Sequence, residues 1–297
     1  MKTVPIVYIH KGYSWYLPIA LQNGVQFHDR ENVWLLGDPF ANAIAKKLGV
    51  NTALISDFME GAHAFEKDYV HESSLGVAFE LFCIQRWFIL LEFMQSRNLN
   101  TCIHLDSDIL LTQTLELYRQ QLQEWPMTFT GYSAHINFIN DRAGLEQFCS
   151  FVKTFYRDPS NATKRAKWRQ EIQRTSGSGG VSDMTLFYWF KEAFPRMIGD
   201  YRSIFGDSPF DVSLENVEGF VKEKNGFKKL FWKKEVPYAV KKDGSHVELA
   251  CLHHQGPTKK LLSAHAIRLH QNPLMIWLVF PLLGLFYKAL AKFRYFH

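Results

Sequence analysis

The stretch CIHLDSDILL, residues 102–111, sets two carboxylates, Asp106 and Asp108, one residue apart at the end of an apolar run. Side chains alternate along a strand, so residues two apart point the same way, and two like charges held side by side repel unless a cation joins them. The pair therefore reads as a cation site. Hard carboxylate oxygens suit Mg2+ or Mn2+, ions that are commonly shared with substrate phosphates rather than caged by protein alone. Two surface acids at a strand end are the plain alternative.

Upstream of the pair, GVAFELFCIQRWFILLEFMQSRN (76–98) is apolar almost all round and free of proline, which predicts a helix buried within the protein. Arg86 lies inside it, where a permanent charge needs a partner, either a ligand or a structural pair with Glu80 or Glu92. Further upstream, VPIVYIH (4–10), NVWLLGD (32–38) and NTALISDF (51–58) are short apolar runs separated by helix-length stretches. They predict a β-α-β-α-β opening, the start of a mostly parallel, helix-flanked sheet of the nucleotide-binding α/β class. His10 and Lys11 stand where the first strand ends, the edge at which such a sheet receives a nucleotide.

Downstream, RDPSNATKRAKWRQEIQRTSGSGG (157–180) is polar, ends in Gly and Ser, and is poor in core residues, so a mobile segment is expected. VSDMTLFYWFKEAF (181–194) reads as a helix capped by Ser182, with Asp183 beside the cap. The Asp-Gly turn within YAVKKDGSHVELACLHH (238–254) predicts a hairpin.

The composition narrows the class. The chain has 297 residues, 47% of them apolar, enough for a sizeable core and unlike a disordered or fibrous protein. A net charge of +5 is moderate for this length and does not imply nucleic acid. The basic cluster VKEKNGFKKLFWKKEVPYAVKK (221–242) reads either as a solvated hairpin or as an anion-facing surface. Four cysteines lie far apart without a C-x-x-C pair, as free thiols in a reducing compartment do. No long apolar signal segment opens the sequence, so the expected location is cytoplasmic, and the sequon at Asn161 reads as accidental.

A second motif makes the carboxylate pair specific. HHQGPTK (253–259) reads H-x-x-G-x-x-K and begins 145 residues beyond Asp108. The two motifs together resemble family 8 retaining glycosyltransferases, the group that contains glycogenin and bacterial lipooligosaccharide galactosyltransferases. That resemblance implies a GT-A type fold in which Asp106, Asp108 and His253 hold Mn2+ or Mg2+ against the diphosphate of a nucleotide sugar. An imidazole adds a metal ligand, a glycine admits a phosphate close to its N–H, and a lysine adds a point charge. The residues expected to bind the nucleotide sugar are His10, Lys11, Arg86, Ser107, Gly256 and Lys259. Arg86 and Asp183 are the catalytic candidates, on the donor sugar or the acceptor hydroxyl. The chain departs from the family in continuing Lys259-Lys260-Leu261 where Lys-Pro-Trp is common, in the rival ligand His254, and in Met184 where the family has Gln.

The expected organisation is a catalytic domain over residues 1–270 and an apolar, then basic, tail over 271–297. The tail has about fourteen apolar residues before Lys288, short of the roughly twenty of a membrane span. With Lys288, Lys292 and Arg294 it fits peripheral attachment to the inner face of a membrane, or a helix packed on the domain. The expected function is metal-dependent transfer of a hexose from a nucleotide diphosphate sugar, a UDP sugar, to a glycan or glycolipid hydroxyl with retention. A haloacid dehalogenase type phosphatase, and a non-catalytic nucleotide-sugar or glycan-binding protein, are the alternatives.

Overall fold

Aliphatic strand runs alternating with helices set the architecture within the first fifty-odd residues. The computed structural model describes residues 4–130, 133–276 and 281–282. β1 (Ile6–His10), α1 (Leu17–Phe27), β2 (Val33–Gly37), α2 (Pro39–Lys47) and β3 (Asn51–Leu54) form the opening that the sequence predicts. α3 (Glu60–Glu66) and α4 (Val77–Ser96) lead to β4 (Cys102–Leu105), β5 (Ile109–Leu111) and α5 (Glu116–Leu122). β6 (Met127–Phe129), β7 (Ile136–Ile139), α6 (Arg142–Arg157), α7 (Asn161–Ser176), α8 (Asp183–Ala193), β8 (Ile198–Asp200) and α9 (Tyr201–Phe205) follow. The chain ends its described course in β9 (Leu230–Lys233), β10 (Val236–Val240), β11 (His246–Glu248), β12 (Cys251–His253) and α10 (Lys259–Arg268).

The fold is mixed α/β. Seven strands make a mostly parallel central sheet in the order β3-β2-β1-β4-β7-β6-β8. β1 runs parallel to β2 with Ile6 opposite Val33 and His10 opposite Gly37, and β2 runs parallel to β3. β6 is parallel to β8 and antiparallel to β7. All five β1 residues are buried, as a strand covered on both faces requires.

By internal contacts the chain divides into two units, residues 4–54, 104–119 and 204–276 in the first, and 55–103 with 120–203 in the second. In the first, β9, β10 and β11 form an antiparallel sheet that includes the predicted hairpin. β12 pairs antiparallel with β5. The buried Asn23 side chain on α1 holds the other edge of β5, its amide donating to the Leu111 carbonyl (2.9 Å) while its oxygen accepts the Leu111 N–H. One lysine of the basic cluster is not on the surface at all. Lys228 is buried, with Nζ 2.6 Å from the equally buried Asp211 carboxylate.

In the second unit α4 supplies Trp87, Phe88 and Phe93 to an aromatic core in which Phe148 stacks on Phe187 at 4.0 Å and Trp87 meets Phe187 edge-on at 4.7 Å. The burial expected along this helix fails in its first turn, where Val77 and Phe79 are 54% and 61% exposed. The mobile segment expected over 157–180 is corrected as well, since most of it is the helix α7. Asn161–Ser176 contains no glycine or proline and is rich in Ala, Lys, Arg, Gln and Glu, so its intrinsic preference is helical despite its polarity. It docks through Arg165, Trp168 and Ile172, spaced three and four apart on one face. Arg165 is buried against Glu72 (3.4 Å) and over the Tyr156 ring, and Gly177 ends the helix at φ +74.

No helix among the described residues is long and apolar enough to cross a membrane. Most of the stretch read as a membrane-seeking tail, including Lys288, Lys292 and Arg294, lies outside the described residues. Its start packs in the first unit. Ile276 is 2% exposed in a cluster with Ile19, Leu110, Leu262, Ala266 and Leu269, and the Gln271 amide donates to the Ile19 carbonyl at 3.1 Å. Ile276→Ala should therefore lower unfolding free energy by about 2–5 kcal/mol, the cost of a large-to-small change in a core. Urea unfolding measures this, and a loss near zero would show that Ile276 is not core.

Candidate metal and donor site

The three residues between β4 and β5 are Asp106, Ser107 and Asp108, so the carboxylate pair occupies a turn at a strand end. The β5–β12 register sets His253 opposite Ile109, next to Asp108. Ligand atoms of Asp106, Asp108 and His253 consequently lie within 4.8 Å of one another. His253 Nε2 is 3.5 Å from Asp108 Oδ1. Its other nitrogen, Nδ1, is 2.6 Å from the Val212 carbonyl, which can only accept, so Nδ1 carries the hydrogen and Nε2 faces the carboxylates. The His253 backbone N–H donates to Asp211 Oδ2 at 3.2 Å, and Asp211 is held in turn by Lys228.

Asp108 is bonded on both oxygens, with Lys259 Nζ 2.8 Å from Oδ2. Burial works against its charge, but the hydrogen bonds and charges of His253 and Lys259 outweigh burial and hold its carboxyl well below the usual range. The same balance acts in reverse on the bases. Burial lowers His253 and Lys259, and the Asp108 carboxylate more than compensates, raising both. Two carboxylates and one oriented imidazole, where acid and base already compensate each other, fit a divalent cation with hard or borderline preferences.

His254 does not join this cluster. Its ring is buried, with Nε2 2.9 Å from His265 Nδ1, and burial pushes it well below the ordinary histidine value. Only its backbone serves the site, its N–H donating to the Asp108 carbonyl at 2.9 Å. Gly256 turns the chain at φ +54, where a side chain would be strained, and the turn leads into α10, whose first residue is Lys259.

At the end of β1, His10 Nδ1 lies 2.8 Å from Ser107 Oγ, and burial, opposed by Asp38 and Asp108, brings the ring down to about 4. It is neutral at neutral pH. Lys11 beside it is exposed. Sequence reasoning missed Tyr16, whose ring centre is 5.2 Å from Lys259 Nζ, and Asp38, which accepts the Gly12 N–H at 2.6 Å and caps α2. The aromatic run YSWY after Gly12 was the available signal for Tyr16; nothing local marked Asp211 or Val212.

Arg86 and Asp183 belong to the second unit and pair with each other, Nη2 to Oδ2 at 2.7 Å. Asp183 also accepts from Trp87 Nε1 at 3.1 Å and from the Met184 N–H at 2.9 Å. The two partners that the sequence offered Arg86 are otherwise engaged. Glu80 accepts from Ser73 Oγ, and Glu92 accepts the Glu60 and Gly61 N–H groups at the start of α3. Asp183 is the first residue of α8, and Ser182 precedes it as the cap, its N–H donating to Thr185 Oγ1.

No protein-family model and no curated protein matches this sequence. Among solved structures, mouse xyloside xylosyltransferase 1 in its apo form aligns at 9% identity over 66% of this chain and 84% of that one, with a TM-score of 0.46. The apo structure of the bifunctional glycosyltransferase WbbM aligns at 10% identity over 91% of this chain, with a TM-score of 0.48, and the match spans 50% of WbbM. A cytidylyltransferase from Leptospira borgpetersenii aligns at 14% identity over 65% of this chain and 96% of that one, with a TM-score of 0.34. At such identities and scores no activity follows from these likenesses.

The paired groups at Asp108 have opposite linkage to pH. A carboxyl held below its ordinary value of about 3.9 contributes stability that is complete above that value and is lost as pH falls towards the folded value. The raised His253 contributes stability that is complete below about pH 6.5 and is lost as pH rises through its folded value. Asp108→Asn should thus flatten both limbs of the stability curve, the loss as pH falls below about 3.9 and the loss as pH rises above about 6.5, measured by urea unfolding. Two intact limbs in the variant would place the linkage elsewhere. In thermal shift with Mn2+, His253→Ala should abolish the metal-induced rise in melting temperature and His254→Ala should retain it.

Proposed function

We propose that this protein is a metal-dependent glycosyltransferase that moves a hexose from a nucleotide diphosphate sugar, a UDP sugar, to a hydroxyl of a glycan or glycolipid. One observation carries the reading: two carboxylates and a carbonyl-oriented imidazole converge within 4.8 Å, with a lysine ammonium on the same carboxylate. Asp106, Asp108 and His253 would hold Mn2+ or Mg2+, and such an ion supplies neutralisation of the diphosphate as it becomes the leaving group. Lys259 offers a second, fixed positive charge to phosphate oxygens. Gly256, exposed and without a side chain, lets a phosphate approach its backbone. His10, neutral and tied to Ser107, offers the nucleotide a hydrogen-bonding ring, and Lys11 adds charge at the same strand end.

Arg86 and Asp183 keep the roles that the resemblance to family 8 implies, contact with the donor sugar or with the acceptor hydroxyl, and retention at the anomeric carbon goes with that resemblance. The phosphatase alternative is disfavoured by position, because β1 ends in His10 and the acid pair follows β4.

Release of UDP from a panel of UDP hexoses in the presence of Mn2+, set against phosphate release from p-nitrophenyl phosphate, tests the reading. Metal-dependent UDP release with no phosphatase activity is expected, and the reverse pattern would overturn it. Lys259→Ala should lower turnover about ten- to a thousandfold, as loss of a charge on the developing leaving group does. Mn2+ binding should persist in that variant, because the substitution frees an Asp108 oxygen instead of removing a ligand.

A further inference from the structure

The second unit holds a cavity of about 430 Å3 that no step above uses. Its size falls in the roughly 300–1,000 Å3 range of small-molecule sites. Leu75, Trp168, Ile172 and Met184 give it apolar walls, and Glu80 and Thr185 give it polar ones. The frame around it is closely built. Ser74 N–H donates to the Gly179 carbonyl (3.1 Å), Gly179 N–H to Ser74 Oγ (2.7 Å), and Val181 N–H to the Glu72 carbonyl (2.9 Å). Gly180 lies within that clamp, where a Cβ would come 2.1 Å from the Glu72 carbonyl oxygen, so only glycine fits. Trp168 is fixed as a wall by stacking on Tyr188 at 5.6 Å and meeting Trp189 edge-on at 5.5 Å.

The lining selects by chemistry. Glu80 is its one ionisable group among the described residues, and no lysine or arginine is present to meet an anion. Glu80 is itself 3% exposed and accepts from Ser73 Oγ at 2.9 Å; burial, above all, raises its pKa. An anionic ligand would find no counter-charge in this lining. A purely apolar ligand would leave unused the acceptor capacity that the Glu80 carboxyl keeps beyond its one bond from Ser73. A neutral ring with apolar faces and hydroxyl edges matches this mixture of apolar walls and a buried acceptor. Met184 adds to the apolar wall on which such a face rests.

We propose that this cavity is a binding site for a neutral pyranose, with the C–H face of the sugar against Trp168, Ile172 and Met184 and a hydroxyl donating to Glu80. That the sugar is the acceptor of the transfer rests on the function proposed above; that the cavity binds it does not. Aromatic walls and buried acceptors are what make such binding selective over an acyclic polyol or a sugar phosphate.

Saturation-transfer NMR on the full chain, with methyl glucoside, methyl galactoside, methyl xyloside and, as the anionic comparison, glucose 6-phosphate, tests this. At least one neutral glycoside should receive saturation through its ring protons, and glucose 6-phosphate should not. Trp168→Ala and Glu80→Gln should each weaken binding about tenfold or more. Met184→Trp, at a half-buried position on the rim, should fill the cavity and abolish binding while the melting temperature is retained, which covers the case in which Trp168→Ala fails to fold. No signal from any neutral glycoside, or a signal untouched by Glu80→Gln and Met184→Trp, overturns the site. Thermal shift with Mn2+ and UDP, run on the same samples, reports on the first unit. Glycoside binding without a Mn2+-dependent UDP shift would end the transfer reading and leave the saccharide site standing. The opposite result would remove the saccharide site alone.

Discussion

The antiparallel pairing of Ile109–Leu111 with Cys251–His253 is the constraint on which the candidate site depends. Both strands are three residues long, too short to be stable as an isolated pair. Asn23 closes the far edge of β5 in the manner of a third strand, and Thr112 extends the pairing through the Ala250 and Leu249 carbonyls. Strand side chains alternate, so a slip of one residue would turn His253 away from the carboxylates and present His254 instead. The register, more than the presence of histidine, decides what the site can bind.

Charge compensation follows from that register. Asp108 has Lys259 on one oxygen and His253 on the other, and the His253 backbone leans on Asp211, which is neutralised by Lys228. Each buried charge of the first unit's site thus has an opposite charge or an oriented donor within reach, as low-dielectric surroundings demand. The second unit obeys the same rule with different residues. There Arg86, held over the Trp87 ring, answers Asp183, and Arg165 answers Glu72. Removing one member of any of these pairs leaves the other uncompensated, so such substitutions report on the partner as much as on the residue changed.

What was legible in the amino-acid sequence was local and periodic. Continuous apolar runs of strand length marked β1, β2 and β3, the Asp-Gly turn marked the β10–β11 hairpin, and the one-residue spacing of Asp106 and Asp108 marked a candidate cation site, because these signals depend only on neighbours a few positions away. Polarity misled at α7, where helical preference and a three-residue docking stripe outweigh a hydrophilic average, and in the basic cluster, where Lys228 is buried because Asp211 is there to receive it.

The sequence by itself determined the order of strands and helices at the start of the chain and the chemical identity of the candidate ligands. Only the tertiary structure decided which of two adjacent histidines stands beside Asp108, that Arg86 answers Asp183 instead of a glutamate on its own helix, that Ile276 enters the core, and that Trp168 walls a cavity. Each of these is settled by contacts between residues from eleven to more than two hundred and fifty positions apart, and the energies that choose among such partners, burial of charge and exclusion of water, exist only once the chain has closed around them.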